Sequence, residues 1–300
     1  METTLLSALS PQLQALIEVS LGAKLPTSTT TSKPSGDKPN GSSDRVESVE
    51  NYQLEESSPQ VLGAMCSSAQ LNPSELFALK HPDSPGFVVK EHFLGQQNAL
   101  AVRDALLEMV QSHPFHEAKI GVGENLRNDR AVRGDRIHWI QVPRDPNAPT
   151  SEGVISPAIL HLHKQVGSLV FGLKKVSPEL DLRNVVSTQL AIFSGDGARF
   201  VKHLDANSNA QWDEYGATSN DGLVRLVTCV YYLSDQWNSE HGGQLRVHLK
   251  DTSVLPVCHW DIPPKLDTLV VFRSLGVEHE VLPTHQERMA ITIWYYGKPK

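Results

Sequence analysis

The sequence has few cysteines and no long apolar run. Only three cysteines, Cys66, Cys229 and Cys258, occur among its 300 residues, and their spacing matches neither a disulfide framework nor a zinc site. This favours a reducing compartment. No apolar stretch is long enough to span a bilayer, so we expect no membrane partner. The N-terminal residues lack a basic segment, which argues against a signal peptide. We therefore expect a cytoplasmic or nuclear protein, or one found in both compartments.

The chain also lacks an excess of positive charge. It has 27 Lys and Arg against 34 Asp and Glu, a net charge of −7. Proteins that hold a nucleic-acid backbone do so with clustered basic residues, so this balance argues against nucleic acid as the main partner. Hydrophobic residues make up 39% of the chain, which is enough for a folded core. We expect the protein to be a monomer.

The N-terminal part of the chain differs from the rest in composition. Apolar residues at helical spacing predict an accessory helix within residues 1–25, and a helix that docks a partner is the alternative. Residues 26–60 are rich in Pro, Ser, Thr and Gly, and we predict a disordered linker there. Residues 61–84 predict a short helical segment. A single folded domain is predicted over residues 85–300.

Within that domain the hydrophobic period changes from helical to strand-like. Helices are predicted over Gln96–Ser112 and from Ser156-Pro157 onward, and residues 116–134 predict a long mobile loop. Helices followed by many short strands indicate an α+β fold, namely a double-stranded β-helix (jelly roll) with supporting N-terminal helices. The predicted strands are Gly86–Val89, Arg136–Ile140, Thr188–Phe193, Phe200–Asp205, Leu226–Leu233, Gln244–His248, Thr268–Phe272 and Arg288–Tyr296.

A candidate metal site begins at His203-Leu204-Asp205. Two residues that are two positions apart on a strand point to the same face, so His203 and Asp205 are expected to share one metal ion. Two imidazoles and one carboxylate form the facial triad of non-haem Fe(II) oxygenases. The third ligand must come from elsewhere in the fold. His279 is well placed for this, and His285 is its main rival.

The strand that follows these histidines carries a second signal. Its alternation places Arg288, Ala290, Thr292 and Trp294 on one face, and places an aliphatic face against the helices. An arginine inside a barrel needs an anionic partner, because an unpaired buried charge is costly. A dicarboxylic cosubstrate would supply that partner. The Tyr232 hydroxyl can donate to the same carboxylate, although a plain core tyrosine is the alternative.

Together these motifs resemble the 2-oxoglutarate- and Fe(II)-dependent prolyl 4-hydroxylases, and among them the prolyl hydroxylase domain enzymes that modify hypoxia-inducible factor. The likeness covers the chain from about Pro85 onward. The joint spacing of the motifs is more specific than any one of them. The matching stretches are Arg133-Gly134-Asp135 with Trp139, Val201–Asp205, Val227–Leu233, Gly242–Arg246, His279–Val281 and Arg288–Trp294.

The resemblance implies peptidyl-proline 4-hydroxylation in a hypoxia response, coupled to decarboxylation of 2-oxoglutarate to succinate and CO2. It favours His279 over His285, because His279 keeps the family's offset to Arg288. It also implies O2 as a cosubstrate, L-ascorbate as a cofactor and a proline-containing protein as the substrate. The implied iron ligands are His203, Asp205 and His279, and the implied cosubstrate residues are Arg288, Tyr232, Thr228, Val230, Leu245, Val281 and Trp294.

The chain departs from the family at a few positions. Phe193 and Phe200 stand where the oxygen-sensing enzymes usually have tyrosines, and residues 211–216 form an insertion. Arg288, where the collagen-modifying branch has lysine, argues against that branch. Arg133 and Asp135 either pair on the surface or belong to the site. Two other functions stay open from the sequence: a nucleic-acid demethylase on the same barrel, and a non-catalytic peptide-binding barrel.

Overall fold

The structure is a computed structural model that describes residues 70–80, 85–121, 123–143, 155–206, 222–249 and 259–298. The predicted accessory helix, the predicted linker and the 211–216 insertion lie outside the described residues. Among the described helices, none has the length and apolar content that crossing a bilayer requires.

Helices and strands follow the order that the sequence predicts, with additional short strands. The described helices are α1 Pro73–Lys80, α2 Gln96–Ser112 and α3 Pro157–Val176. The strands are β1 Phe87–Lys90, β2 His116–Glu117, β3 Lys119–Ile120, β4 Arg127–Asn128, β5 Asp135–Ile140, β6 Asp181–Phe193, β7 Phe200–His203, β8 Val224–Tyr232, β9 Leu245–His248, β10 His259–Ile262, β11 Thr268–Arg273, β12 His279–Val281 and β13 Arg288–Lys298.

Two antiparallel sheets form the jelly roll. The major sheet has the order β1-β11-β8-β13-β6-β5-β2, and the minor sheet has the order β10-β9-β12-β7. The predicted alternation along β13 is confirmed. Met289, Ile291 and Ile293 join the core that α2 and α3 form against the outer face of the major sheet. The opposite face of β13 turns toward the minor sheet, where Ala290 belongs to a second apolar cluster.

The two longer helices form where the sequence predicts them, and nearby residues explain where they begin and which face they bury. α3 begins after Ser156, whose side chain accepts a hydrogen bond from the Ala158 amide, and Pro157 occupies the first turn. α2 buries one stripe of apolar residues, including Val102 and Leu106, in the helix-side core. A helix also occurs within residues 61–84, at α1, and it packs Leu79 into the same core.

Two local predictions are wrong. The strand predicted over Phe200–Asp205 ends at His203, and the chain bends at Asp205. The region predicted as a long loop contains β2 and the hairpin β3–β4, which turns at Gly121 with φ 96°. Strands of two residues are too short to show an alternating pattern, so they could not be predicted from hydrophobic periodicity.

We expect the major sheet to depend on Ile291 in β13, which is fully buried against the helices. Ile291→Ala should lower the free energy of unfolding by about 3 kcal/mol, because it removes buried methyl groups and leaves a cavity. Urea unfolding measures this change. Val186→Ala is the control, since Val186 is 39% exposed on β6. An equal loss in both variants would contradict this placement of the core.

Candidate metal centre

A cavity of about 440 Å³ opens between the two sheets. Its walls come from the inner faces of β5, β6, β8 and β13 and from the minor sheet. It brings together residues that lie far apart in the sequence. Its lining includes Arg133, Asp135, Trp139, Gln189, Phe193, Phe200, His203, Asp205, Arg225, Val230, Leu245, His279, Val281, Arg288, Thr292 and Trp294.

Three predicted ligands meet at one point of this cavity. His203 and His279 pair directly across β7 and β12. The Nε2 atoms of both imidazoles lie 3.7 Å from Oδ1 of Asp205. A divalent ion bound at about 2.1 Å from each ligand atom needs those atoms roughly 3–4 Å apart, so the cluster fits one ion. The rival His285 is exposed and is not part of the cluster.

Backbone carbonyls orient the two imidazoles. Nδ1 of His203 lies 2.8 Å from the Val201 carbonyl oxygen, and Nδ1 of His279 lies 3.0 Å from that of Val277. A carbonyl oxygen only accepts, so each Nδ1 carries the proton and each Nε2 keeps a free lone pair. Burial lowers the pKa of His279 to about 4, and the nearby His203 acts in the same direction. Both features suit neutral metal ligands.

The Asp205 carboxylate is oriented by two hydrogen bonds to its other oxygen. The Thr228 hydroxyl donates to Oδ2 at 2.8 Å, and the Trp294 indole donates to the same atom at 3.0 Å. Oδ1 is thereby left to face the two imidazoles. Burial alone would raise the pKa of this carboxyl, but His279, His203 and Arg225 together hold it well below its ordinary value. Asp205 is therefore an anion at physiological pH.

Arg288 lies at the closed end of the cavity and is 4% exposed. Its Nε donates to the Gly243 carbonyl oxygen at 2.9 Å. It forms no ion pair with any aspartate or glutamate of the described residues. The carboxylate whose charge acts on it, Asp135, is already held by two hydrogen bonds from Arg133. Burial lowers the pKa of Arg288, yet a guanidinium stays charged, so this end of the cavity is a site for an anion.

Tyr232 and Gly243 complete the anion site. The Tyr232 ring lies 4.9 Å from Cζ of Arg288, so the guanidinium interacts with its buried hydroxyl, and no described residue accepts a hydrogen bond from that hydroxyl. Burial raises the pKa of Tyr232 to about 12, against the opposing effect of the Arg288 charge, so the phenol remains a donor. Gly243 has φ 71°, and a Cβ there would lie 3.0 Å from Cδ of Arg288. Only glycine allows this close approach.

The other predicted cosubstrate residues divide into two groups. Val230, Leu245, Val281 and Trp294 line the cavity, as the resemblance implies. Thr228 is fully buried behind Asp205 and is not among the lining residues. Its hydroxyl holds the carboxylate, so the structure gives Thr228 an orienting position.

The sequence left open whether Arg133 and Asp135 pair on the surface or belong to the site. In the structure they pair with each other inside the site. The Asp135 side chain is 1% exposed, and the pair lies on the cavity wall. Sequence reasoning missed two polar residues beside it. Gln189 accepts a hydrogen bond from Arg133, and Arg225 places its Cζ 4.0 Å from the Trp294 ring centroid. Alternation along β6 was the available signal for Gln189, which precedes Ala191 and Phe193 at even spacing. It could not reveal Arg225, which lies at odd spacing from Thr228 and Val230 because the register of β8 against β13 shifts between them.

Comparison with known proteins agrees with this site. Residues 188–296 match the 2OG-Fe(II) oxygenase superfamily. Human prolyl hydroxylase EGLN3 is 30% identical over 217 residues, which are 70% of this chain and 78% of that protein. Human Egl nine homolog 1 is 28% identical over 216 residues, covering 70% of this chain and 44% of that protein. The chain spans about half the length of the human, rat and mouse Egl nine homolog 1 proteins.

Solved structures of prolyl hydroxylases resemble this fold. A prolyl hydroxylase from Trichoplax adhaerens, in complex with an oxygen degradation domain peptide of hypoxia inducible factor, is 27% identical with a TM-score of 0.58. The match covers 74% of this chain and 87% of that one. A Pseudomonas putida prolyl-4-hydroxylase, 24% identical over 76% of this chain and 100% of that one, shares the fold with a TM-score of 0.55.

The jelly roll, the His-Asp-His cluster and the buried arginine define the class as a 2-oxoglutarate–Fe(II) oxygenase. Within that class, the chain belongs to the prolyl hydroxylase family that includes EGLN3 and Egl nine homolog 1. Membership implies Fe(II), 2-oxoglutarate and O2. The ligand cluster fits the iron, and Arg288, which has no carboxylate partner among the described residues, fits a carboxylate of 2-oxoglutarate together with Tyr232.

We expect Thr228→Val to weaken metal binding about tenfold, since residues that orient a metal ligand typically contribute tenfold or more to affinity. The change keeps the shape of the side chain and removes the hydrogen bond to Asp205. Anaerobic titration with Fe(II) or Co(II) measures the dissociation constant. Thr188→Val is the control, because the Thr188 hydroxyl bonds His163 at 2.9 Å away from the ligands. Equal affinity in the wild type and Thr228→Val would show that Trp294 alone orients Asp205.

Proposed function

We propose that the protein hydroxylates prolyl residues of a protein substrate at C4 and couples this to decarboxylation of 2-oxoglutarate to succinate and CO2. One observation carries the proposal. The same cavity holds the His203, Asp205 and His279 cluster and, at its closed end, a buried guanidinium that pairs with no carboxylate of the described residues. A diacid would bind Arg288 through one carboxylate and leave its other carboxylate for the metal ion.

The residues of this chain would divide the work as follows. His203, Asp205 and His279 would hold the iron on one side and leave its other side open to ligands. Arg288 and Tyr232 would donate to the distal carboxylate of 2-oxoglutarate. Val230, Leu245 and Val281 would exclude water around the chain of the cosubstrate. Bound Fe(II) and 2-oxoglutarate supply the activation of O2 and the transfer of one oxygen atom to a C–H bond.

The relatives support a prolyl residue as the target. EGLN3 is named a prolyl hydroxylase, and the Trichoplax enzyme was solved with a hypoxia-inducible-factor peptide. We propose a proline-containing protein as the substrate, with oxygen sensing as the physiological setting. The intact ligand cluster and the anion site favour an enzyme over a non-catalytic barrel. The acidic balance of the chain gives no support to a nucleic-acid substrate.

We further propose that L-ascorbate sustains activity by keeping the iron ferrous, and that the protein acts as a monomer in the cytoplasm, the nucleus or both. The described cysteine, Cys229, is buried and free, as expected in a reducing compartment. Burial raises the pKa of its thiol, so it is unreactive.

The activity can be tested with the full-length protein, Fe(II), 2-oxoglutarate and ascorbate. The probes are an oxygen degradation domain peptide of hypoxia-inducible factor and a digest of cellular proteins. We expect a mass increase of about 16 Da on proline, with succinate formed in equal amount, on the basis of one inserted oxygen atom. His279→Ala should abolish both signals and iron binding, because it removes a ligand. His285→Ala is the matched control and should retain both.

Two results would contradict this assignment. The function is wrong if the wild type binds iron and 2-oxoglutarate yet oxidises no prolyl residue in the digest. The ligand assignment is wrong if His285→Ala loses more activity than His279→Ala.

We expect Arg288→Lys to raise the KM for 2-oxoglutarate by about tenfold to a hundredfold, with a smaller change in kcat. Lysine cannot reproduce two parallel donors, and it also loses the bond from Nε to the Gly243 carbonyl. Succinate formation against 2-oxoglutarate concentration measures the effect. Arg183→Lys is the matched control, because Arg183 lies on the surface in a pair with Asp181. An unchanged KM in Arg288→Lys would place the distal carboxylate elsewhere.

A further inference from the structure

A threonine is fully buried in the loop that joins β12 to β13. Thr284 is 0% exposed and lies four residues before Arg288. It is not among the residues that line the cavity, so it does not touch a ligand that binds there. A hydroxyl that is buried without hydrogen bonds costs free energy, so the groups that satisfy this one indicate what it does.

The hydroxyl fastens this loop to the loop between β6 and β7. Oγ1 of Thr284 donates toward the carbonyl oxygens of Ser194 and Ala198, which lie 2.5 and 2.9 Å away. The backbone adds two bonds. The Thr284 amide donates to the Ala198 carbonyl at 3.0 Å, and the Gly197 amide donates to the Thr284 carbonyl at 2.8 Å. Thr284 is therefore held on one side by hydrogen bonds to a single turn.

The other side of the loop holds Gly243. The carbonyl oxygen of Pro283, the residue before Thr284, accepts a hydrogen bond from the Gly243 amide at 3.0 Å. A Cβ at Gly243 would lie 2.8 Å from Cγ2 of Thr284 and 3.0 Å from Cδ of Arg288, so both side chains pack against this glycine. The Gly243 carbonyl in turn accepts the hydrogen bond from Nε of Arg288 at 2.9 Å. A continuous set of contacts thus leads from the Thr284 hydroxyl to the guanidinium.

The bond to Gly243 orients the guanidinium. An arginine side chain has several rotatable bonds, and ordering them when a ligand binds costs free energy. A carbonyl that holds Nε in the folded protein removes part of this cost. It also directs the remaining donors, which grip a carboxylate through two parallel hydrogen bonds only when their direction is right. The position of the Gly243 carbonyl therefore matters for the affinity of the anion site.

We propose that Thr284 is a positioning residue for the cosubstrate. Its hydroxyl fixes the loop that holds Gly243, and the Gly243 carbonyl orients Arg288 for the distal carboxylate of 2-oxoglutarate. This inference rests on the proposed function, in which Arg288 binds that carboxylate. It assigns to Thr284 an effect on 2-oxoglutarate affinity, although the side chain lies outside the cavity lining and does not belong to the metal cluster.

Two variants separate the hydroxyl from the rest of the side chain. Thr284→Val keeps the shape and removes the donor, whereas Thr284→Ser keeps the donor and removes the methyl group. Thr284→Val should raise the dissociation constant and the KM for 2-oxoglutarate about three- to tenfold, the range for one side chain that binding must order, with a smaller change in kcat. Thr284→Ser should stay close to the wild type. Calorimetric titration of the Mn(II)-loaded protein without O2 gives the dissociation constant, and succinate formation gives the KM.

The matched control is Thr188→Val, which removes the hydroxyl that bonds His163 of α3. It should leave both constants for 2-oxoglutarate unchanged. Urea unfolding checks that each variant is folded. If Thr284→Val does not fold, Thr284→Cys replaces it, because a thiol is a weaker donor than a hydroxyl, and the same two constants should rise.

According to the proposal the hydroxyl acts through Arg288, and a double variant tests this. Lysine has no Nε to bond the Gly243 carbonyl, so Thr284→Val should add little to the loss of 2-oxoglutarate affinity in an Arg288→Lys background. Additive losses in the double variant, or equal losses in Thr284→Val and Thr284→Ser, would overturn the inference and give Thr284 a structural role alone.

The other outcomes separate the inference from the proposed function. Unchanged constants for 2-oxoglutarate in Thr284→Val overturn the inference and leave the proposed function intact. If the wild type binds 2-oxoglutarate but hydroxylates no prolyl residue, the proposed function has failed, and the dissociation constants still decide the inference. If the wild type binds no 2-oxoglutarate, both have failed.

Discussion

The unpaired charge of Arg288 is the constraint on which the rest of the structure depends. A guanidinium buried between two sheets is costly unless an anion joins it, and in the described structure the available carboxylate, Asp135, is held by Arg133. The Gly243 carbonyl takes only Nε, which leaves the outer donors of the fork for a ligand. The fold tolerates this arrangement because β13 buries its other face in the helix-side core. The stability of that core thus offsets the cost of a binding site that is complete only with its anion.

The same strand also fixes the metal centre in relation to this anion site. β13 carries Arg288 near its beginning and Trp294 six residues later, and the Trp294 indole donates to Asp205. Thr228, on the neighbouring strand β8, donates to the same oxygen. With backbone carbonyls orienting both imidazoles, all three ligand atoms are directed at one location. Hydrogen bonds that orient ligands in this way strengthen metal binding.

Strong local patterns were readable from the sequence, and contacts across the fold were not. The alternation of β13, the α2 helix and the placement of His203 and Asp205 on one metal follow from spacing, whereas the choice of His279 over His285 rested on the resemblance to the family. The end of β7 before Asp205 does not follow from spacing. The Asp205 side chain is held by Thr228 and Trp294, which lie 23 and 89 residues away. β12 has three residues, too few to show a period, yet it sets His279 opposite His203. The predictions for residues 1–60 and 211–216 remain predictions, because they fall outside the described residues.

Aromatic and polar side chains divide the cavity wall around the metal ligands. Phe193 and Phe200 place rings against Arg288 and His203 and offer no hydroxyl. Polar groups lie instead on β5, on β6 and just before β5, where Arg133, Asp135 and Gln189 form one hydrogen-bonded cluster. This cluster lines the cavity and includes none of the three metal ligands. Substitutions in it can therefore change what the cavity admits while His203, Asp205 and His279 keep their positions.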